Sequence, residues 1–502
     1  MKKICSVALL VCLLLGMVVT ANAETANEPT LENLGIPAQS FIPDNSESKL
    51  MLGRSIRDTY FYDGKLFVAI GDYDVNLGGL TGGYIPIYSY TPSTGVWVKE
   101  GQAWTEQNFR FHESFGTLYL LDADATGGSP VKAYYYDKTA PEGRRWKQAD
   151  CNATGAMHVF DQQTYKGELF LSYGFNYAVS PYVTRFVEKD VTQIVPFEKD
   201  NQPIAVASEE YARTYNLFEY NGELYGILKV HGAADGNADA RNGLYRYEAE
   251  LGVMNYVHVV PNALLSMGMR ASYDAVFNGY YVHSNHAYYA LYTNDIEGIT
   301  DNKETTGAYE NWRAFLGFAG NIACMRVIGD SLYFSTWEEK EDGTYTNRIY
   351  VTDDLNAYTE LYSFNDTNPV HNFYYRSGVF YLGTGANSKN LINPKVGTVF
   401  ALHLQLDEEE QLPDEGDDTT DGNTGAEDTT TEDTTTTEDT TVADDTTENT
   451  TVTDDTTEIK PTTQDESKSK SMWPWVVASI VLAAVIAGGI FFVIWKNRPV
   501  KQ

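Results

Sequence analysis

A chain of 502 residues with 69 Asp and Glu against 36 Lys and Arg, formal net charge -33, lacks the positive footprint that phosphate contacts require, so nucleic acid is excluded as a partner. The charge falls in two regions: residues 407–466 hold 23 acids and one Lys, and residues 24–406 hold 46 acids and 28 bases. Hydrophobic residues make up 43% of the chain, including 36 Tyr and 22 Phe, enough for a large core.

Residues 1–23 read as a secretory signal peptide. Met1-Lys2-Lys3 precedes an apolar run from Val7 to Val19, and Ala21-Asn22-Ala23 has the small-residue spacing of a cleavage site. Cleavage removes Cys5 and Cys12 and leaves Cys151 and Cys324, whose oxidation outside the cell is one option and whose persistence as thiols is the other. Residues 24–51 form an N-terminal segment that is a candidate for closing the fold that follows.

One pattern then organises residues 52–406: an aromatic-rich run, a tight turn with glycine, and a second apolar run. The turn glycines are Gly64, Gly116, Gly167, Gly222, Gly279, Gly329 and Gly378, at intervals of 52, 51, 55, 57, 50 and 49 residues. Third strands are expected at Ile85–Tyr90, Val131–Tyr136, Leu244–Tyr247, Tyr288–Tyr292 and Arg348–Val351, and fourth strands at Gly95–Val98 and Met254–Val257. Four strands per unit and seven units predict an all-β, seven-bladed β-propeller with four-stranded blades; a repetitive sandwich or solenoid is the rival. The last unit lacks an evident fourth strand, and residues near Lys49-Leu50-Met51-Leu52 are the expected closing strand, which would cover an open edge.

Tyr62-Asp63-Gly64-Lys65-Leu66-Phe67-Val68-Ala69-Ile70-Gly71, followed by Ile87-Tyr88-Ser89-Tyr90-Thr91-Pro92-Ser93-Thr94-Gly95-Val96-Trp97, resembles a kelch blade, in which a glycine-led strand leads to a Tyr strand, a turn and a Trp. The resemblance implies a kelch-like propeller, an architecture that serves mostly as a binding scaffold and sometimes as an oxidase or epimerase. The Ser-x-Asp-x-Gly-x-x-Trp boxes of sialidases do not recur.

In such a fold the starts of the first strands and the long loops share one face. Arg57, Asp58, Asn108, Arg110, His158, Asp161, Arg213, His371 and Asn372 fall there. A ring of Arg, His and Asn suits a carboxylate or phosphate, because the guanidinium offers a two-pronged fork. The same side chains could equally bridge blades. His158, Asp161, Arg57 and Asp58 are the candidates for acid–base chemistry, and Tyr73, Tyr177 and Trp337 for flat stacking on a ligand. Asp235, Asn237 and Asp239 resemble the opening of a calcium loop, although Arg246 stands where the bidentate Glu belongs. The alternative is an Asp/Asn-rich turn, and no other cofactor is indicated.

Residues 407–471 read as a disordered acidic stalk, with 21 Thr between 419 and 463. Residues 472–495 are apolar, carry Trp473, Trp475 and Trp495 at their ends, and precede Lys496, Arg498 and Lys501 in a tail of 496–502. They predict one transmembrane helix, bilayer contact, and a single-pass cell-membrane protein with its N-terminal domain outside and its C-terminus cytoplasmic. Leu412-Pro413-Asp414-Glu415-Gly416 departs from the sortase pattern at its fourth position. The function expected is a cell-surface binding or interaction module for a glycan or protein. The alternative is an extracellular glycan-active hydrolase or lyase, and the sequence does not decide whether the protein is an enzyme.

Overall fold

Aromatic residues flanking seven reversals of the chain build the architecture. The computed structural model describes residues 28–44, 46, 51–71, 84–105, 107–122, 131–151, 153–189, 191–232, 240–260, 262–265, 274–284, 289–298, 311–315, 317–386 and 393–404. All belong to the compact unit Met1–Thr420. The leader 1–23, the stalk 407–471 and the 472–502 end lie outside the described residues.

After β1 (Thr30–Gly35), the first repeat comprises β2 (Ile56–Tyr62), β3 (Lys65–Ile70), β4 (Ile85–Thr91) and β5 (Val96–Ala103). The second comprises β6 (Asn108–Ser114), β7 (Thr117–Asp122), β8 (Ala133–Tyr136) and β9 (Trp146–Ala149). The third holds β10 (Ala156–Tyr165), β11 (Glu168–Phe175), β12 (Tyr182–Glu188), β13 (Val191–Lys199) and the short β14 (Gln202–Pro203). The fourth holds β15 (Tyr211–Tyr220), β16 (Glu223–His231), β17 (Gly243–Glu248) and β18 (Val253–His258). The fifth has β19 (Asp274–Phe277), β20 (Tyr280–His283), β21 (Ala290–Thr293) and β22 (Arg313–Phe315). The sixth has β23 (Asn321–Ile328), β24 (Ser331–Glu339), β25 (Tyr345–Thr352) and β26 (Thr359–Asp366). The last has β27 (Val370–Arg376), β28 (Val379–Thr384) and β29 (Val399–His403).

Six of the seven hairpin turns place both central residues at positive φ, as in Asp63 (52°) and Gly64 (72°) or Asn221 (51°) and Gly222 (78°). That backbone matches the right-handed twist of the flanking strands, which is why Gly recurs at the second turn position.

The expectation of seven separate four-stranded blades needs correction. Five repeats form independent four-stranded sheets in a propeller-like arrangement, whereas the third and fourth share one nine-stranded sheet. Within it, β11-β12-β13-β18-β17-β16-β15 closes on itself as a seven-stranded, barrel-like path. It is joined by parallel pairing of β13 with β18 (Phe197↔Met254, Glu198↔Asn255) and by Gly174↔Arg213 between β11 and β15. Missing side chains permit the second junction. A Cβ on Gly174 would stand 2.5 Å from the Phe160 ring, so only glycine lets β11 approach β15 beneath that ring.

The closing strand also differs from expectation. The last sheet runs β1-β29-β28-β27, so its fourth strand is Thr30–Gly35 and not the 49–52 stretch, of which Met51 and Leu52 form a helical turn. Trp97 Nε1 donates to Leu34 O at 2.7 Å, tying β1 to the first repeat. The buried Arg54 donates to Ile42 O (2.7 Å), Pro394 O (3.0 Å) and Asp44 Oδ1 (2.8 Å), which fastens the N-terminal segment to the end of the last repeat.

Neighbouring repeats meet through aromatic pairs: Phe67 with Trp146 (5.9 Å), Tyr119 with Phe186 (6.3 Å), Phe170 with Tyr247 (5.0 Å) and Phe218 with Tyr281 (4.0 Å). Phe315 with Phe334 (5.6 Å), Tyr333 with Phe380 (5.6 Å) and Phe61 with Tyr381 (6.1 Å) continue the series. Each adds about 0.5–1.5 kcal/mol beyond its buried area. A second device uses Tyr two positions before the turn glycine. Tyr62, Tyr165 and Tyr220 donate to the carbonyls of Gly116 (2.8 Å), Gly222 (3.1 Å) and Gly279 (2.9 Å), the turn glycine of the next repeat in each case. Tyr220→Phe is expected to lower stability by about 1 kcal/mol in urea unfolding, since the ring packing survives and one hydrogen bond is lost.

The membrane expectation is likewise corrected. Among the described residues no helix is long and apolar enough to cross a membrane. Residues 472–495 lie outside the described residues, so the structure supports neither the bilayer contact nor the single-pass topology. Cys151 and Cys324 are both buried, and neither is in a disulfide.

Candidate functional site

The first strands β2, β6, β10, β15, β19, β23 and β27 stand next to one another in chain order, and β27 returns to β2. Most carry a bulge near their starts, at Ile56/Asp58, Asn108/Phe111, Val159/Asp161, Thr214/Asn216, Ile322/Cys324 and Val370/Asn372. A bulge inserts one residue and re-aims the side chain that follows it. Here several of the re-aimed side chains are polar and reach the neighbouring strand.

Asp58 accepts from Phe111 N (2.9 Å), Thr59 N (2.9 Å) and Arg326 Nη2 (2.8 Å). Asp161 does the same work two repeats on, accepting from Leu217 N (2.8 Å), Gln162 N (2.9 Å) and the Arg110 guanidinium. Asn372 donates to Ile56 O (2.9 Å) and accepts from Thr59 Oγ1 (2.9 Å). Burial pushes the Asp58 carboxyl up, against the pull of Arg326. Asp58, Arg110, Asp161 and Asn372 therefore hold first strands together, and both carboxylates are saturated by donors.

A different group of side chains gathers at the start of β10 and β15 and the end of β11 and β16. In register, Tyr211 faces His231 and Arg213 faces Lys229. Alternation along each strand puts Tyr211 and Arg213 on one face, so the four form a block. The Tyr211 and His231 rings stack at 4.7 Å and 5°. Arg213 lies over the rings of Tyr211 (4.9 Å) and Phe160 (5.7 Å). His158 stacks on Phe160 at 5.4 Å, Phe160 leans on Tyr215 at 5.2 Å, and Tyr177 meets Tyr211 edge-on at 5.4 Å. The Tyr215 hydroxyl and His231 Nε2 are hydrogen-bonded at 2.8 Å.

This block is accessible: Tyr177 is 60% exposed, and His158, Tyr211, Arg213, Lys229 and His231 are half-buried. Burial, then Lys229 and Arg213, holds the His231 imidazole down at about 4. Burial and Arg213 lower Lys229, and burial pushes the Tyr215 hydroxyl up to about 12. His231 is thus a neutral imidazole at physiological pH, in a locally positive environment on an acidic protein.

Of the residues singled out by sequence, His158, Arg213 and Tyr177 come together here. Arg57 is buried at the β2 bulge, and His371 is buried against Gly385, where a Cβ would stand 2.0 Å from the imidazole. Asn108 opens β6 opposite Asp122. Trp337 packs edge-on against Tyr345 in the sixth repeat, at 5.8 Å. Tyr73, Asp235, Asn237 and Asp239 lie outside the described residues, and among the described residues no group of three or more His, Cys, Asp or Glu could hold a metal ion. Phe160, Tyr211, Tyr215 and Lys229 escaped the sequence reading, although the alternation Tyr211-Ala212-Arg213 and Lys229-Val230-His231 in two strands joined by Asn221-Gly222 carried the signal.

No protein-family model matches the chain, kelch included, and no curated protein matches it. Among solved structures it is similar to the polysaccharide lyase Uly1, at 11% identity over 70% of this chain and 90% of that one, TM-score 0.40. It is also similar to the AfRom2 CNH domain (8% identity, 70% and 95% covered, TM-score 0.36). A third likeness is to the Cps50 (Swd1) β-propeller domain of Myceliophteria thermophila (8% identity, 70% and 99% covered, TM-score 0.38). With TM-scores below 0.5 these likenesses assign neither a family nor an activity.

Proposed function

We propose that the protein is a surface-displayed binding module that holds a glycan on the block formed by Tyr177, Tyr211, Arg213, Lys229 and His231. In this reading the leader 1–23 exports the chain and the acidic segment 407–471 spaces the module from whatever retains it. The observation that carries the reading is the stack of Arg213 on Tyr211 beside the 60% exposed Tyr177. Sugars present apolar C–H faces to flat rings and hydroxyls to fixed donors, and this block offers both within a few ångströms. Applied to a glycan array, the full chain is expected to retain at least one glycan class, and Tyr211→Ala to weaken that binding roughly tenfold. Retention of no glycan would refute the reading.

A second reading, a glycan-active enzyme, is favoured by the Tyr215–His231 hydrogen bond at 2.8 Å. A neutral imidazole next to a phenol is a competent proton acceptor and donor pair. Chain shortening of the retained glycan that His231→Gln reduces far more than it weakens binding would select this reading over passive binding.

A further inference from the structure

The hydrogen bonds within this block have a direction. Arg213 is hydrogen-bonded to the Tyr215 hydroxyl, and a guanidinium only donates, so the Tyr215 oxygen accepts from it. The same hydroxyl meets His231 Nε2 at 2.8 Å. Were Nε2 the donor, the phenol would accept twice and its own proton would have no acceptor among the described residues, in a side chain only 2% exposed. A stranded buried donor costs about 1–3 kcal/mol. Tyr215 therefore donates to Nε2, which also turns its proton away from the Arg213 charge. His231 is neutral, held down at about 4 by burial, then by Lys229 and Arg213. A neutral imidazole carries one N–H, and with Nε2 accepting, that N–H is at Nδ1.

His231 Nδ1 has no hydrogen-bond partner among the described residues, and the ring is half-buried. The stack on Tyr211, at 4.7 Å and 5°, fixes the plane in which Nδ1–H points. Lys229, two positions earlier on the same face of β16, also carries only donors. A sugar hydroxyl set against donors leaves its own proton unmatched, whereas an acyl carbonyl oxygen only accepts. A carboxylate oxygen only accepts too, but residues 24–406 hold 46 acids against 28 bases, a surface that repels polyanions. The exposed Tyr177 ring adds an apolar face for an acyl methyl group.

We infer that Arg213 is a positioning residue: it orients the Tyr215 hydroxyl, which fixes His231 as the Nδ1–H tautomer, and this donor selects an acyl carbonyl on the bound glycan, as an acetamido or acetyl-ester group presents. The selection rests on the glycan reading above; the tautomer does not.

Ring-nitrogen NMR of the full chain carrying isotope-labelled histidine tests the first part, with the His231 signals identified by their loss in His231→Phe. At neutral pH the wild-type ring is expected to be protonated at Nδ1 and bare at Nε2. Tyr215→Phe keeps a ring against Phe160 and removes the donor, so it should move the proton toward Nε2. Arg213→Met should act in the same direction, and Arg213→Lys, which keeps a donor, should restore the wild-type pattern. A wild-type ring protonated at Nε2, or one whose tautomer ignores both Tyr215→Phe and Arg213→Met, would overturn the positioning role. Calorimetric titration tests the selection by comparing an N-acetylglucosamine tetramer with cellotetraose, and acetylated xylo-oligosaccharides with the same mixture after deacetylation. The acylated member of at least one pair is expected to bind roughly tenfold tighter, and the pair that shows it tells amide from ester. His231→Phe, which keeps a ring to stack on Tyr211, should abolish that difference. Equal binding within both pairs, or a preference that His231→Phe leaves intact, would overturn the acyl selection and leave the glycan reading standing. Binding of no probe, together with an empty glycan array, would sink the glycan reading and the selection with it, while the ring nitrogens would still decide the role of Arg213.

Discussion

Asp161→Ala is expected to destabilise the protein by about 3–5 kcal/mol, as removal of one partner from a buried, hydrogen-bonded charge pair does. The Asp161 carboxylate is buried, and three donors converge on it: the N–H groups of Gln162 and Leu217 and the guanidinium of Arg110. Alanine would strand two backbone donors and leave a partly buried cation without its counter-charge. Leu217 lies 56 residues further along the chain, in the next first strand, so the substitution also frees the junction between β10 and β15. A total stability of about 5–15 kcal/mol makes this loss large. Asp161→Asn keeps the shape and one good acceptor and should lose less. Urea unfolding of wild type, Asp161→Ala, Arg110→Ala and the double variant checks the account. The double variant should be closer to wild type than the two single losses added together, because each single change leaves the other member without its partner. Additive losses, or a loss below about 1 kcal/mol for Asp161→Ala, would count against a stapling role.

The second large effect is loss of stability in acid, beginning well above the range in which carboxylates titrate. Burial holds His283 down at about 4, His112 at about 3, and His231, with help from Lys229 and Arg213, at about 4. Neither ring nitrogen of His283 has a hydrogen-bond partner among the described residues, and the side chain is 2% exposed. The folded state therefore binds fewer protons than the unfolded chain between about pH 6.5 and 4, and stability falls as pH drops through that window. His283, almost fully enclosed, accounts for roughly 3 kcal/mol of the loss by pH 4; His231, half-exposed, accounts for less because solvent screens it. Asp58 and Asp274 act in the opposite direction, since burial pushes both carboxyls up and their protonation in acid favours the folded state. Unfolding midpoints measured from pH 7 to 4 should fall steadily in wild type and clearly less in His283→Gln. Parallel curves for the two proteins would show that His283 is not the group responsible.

The repeat was legible because turn chemistry is local. Asp63-Gly64 and Asn221-Gly222 announce tight hairpins from two residues alone, and the spacing of such pairs set the repeat length. The shared sheet of the third and fourth repeats was not legible. It depends on two outer strands, β13 and β18, running parallel and on Gly174 meeting Arg213 beneath an aromatic ring, pairings between segments more than 35 residues apart. The closing strand misled for a related reason. Thr30–Gly35 reads Thr-Leu-Glu-Asn-Leu-Gly, a polar sequence with an exposed outer face, while the more apolar Met51 and Leu52 are buried in a helical turn.

The site was half legible. His158, Arg213 and Tyr177 belong to the face that repeat geometry assigns to ligands, and they do meet. Asp58 and Asp161 looked like acid–base groups because sequence displays their chemistry and conceals their partners; Phe111 and Leu217 offer only backbone N–H groups, which no sequence pattern marks. Lys229 and Tyr211 needed the register of β15 against β16.

The claim at the centre of this account is that ligand sits over the junction of β10, β11, β15 and β16. Hydrogen exchange of the full chain with and without a retained glycan locates the bound surface without altering any residue. The account predicts slowed exchange confined to 156–160, 174–177, 211–215 and 229–231, with the turns at Gly64, Gly116 and Gly378 unchanged. Protection centred on those turns, or on the sixth repeat around Trp337, would contradict it.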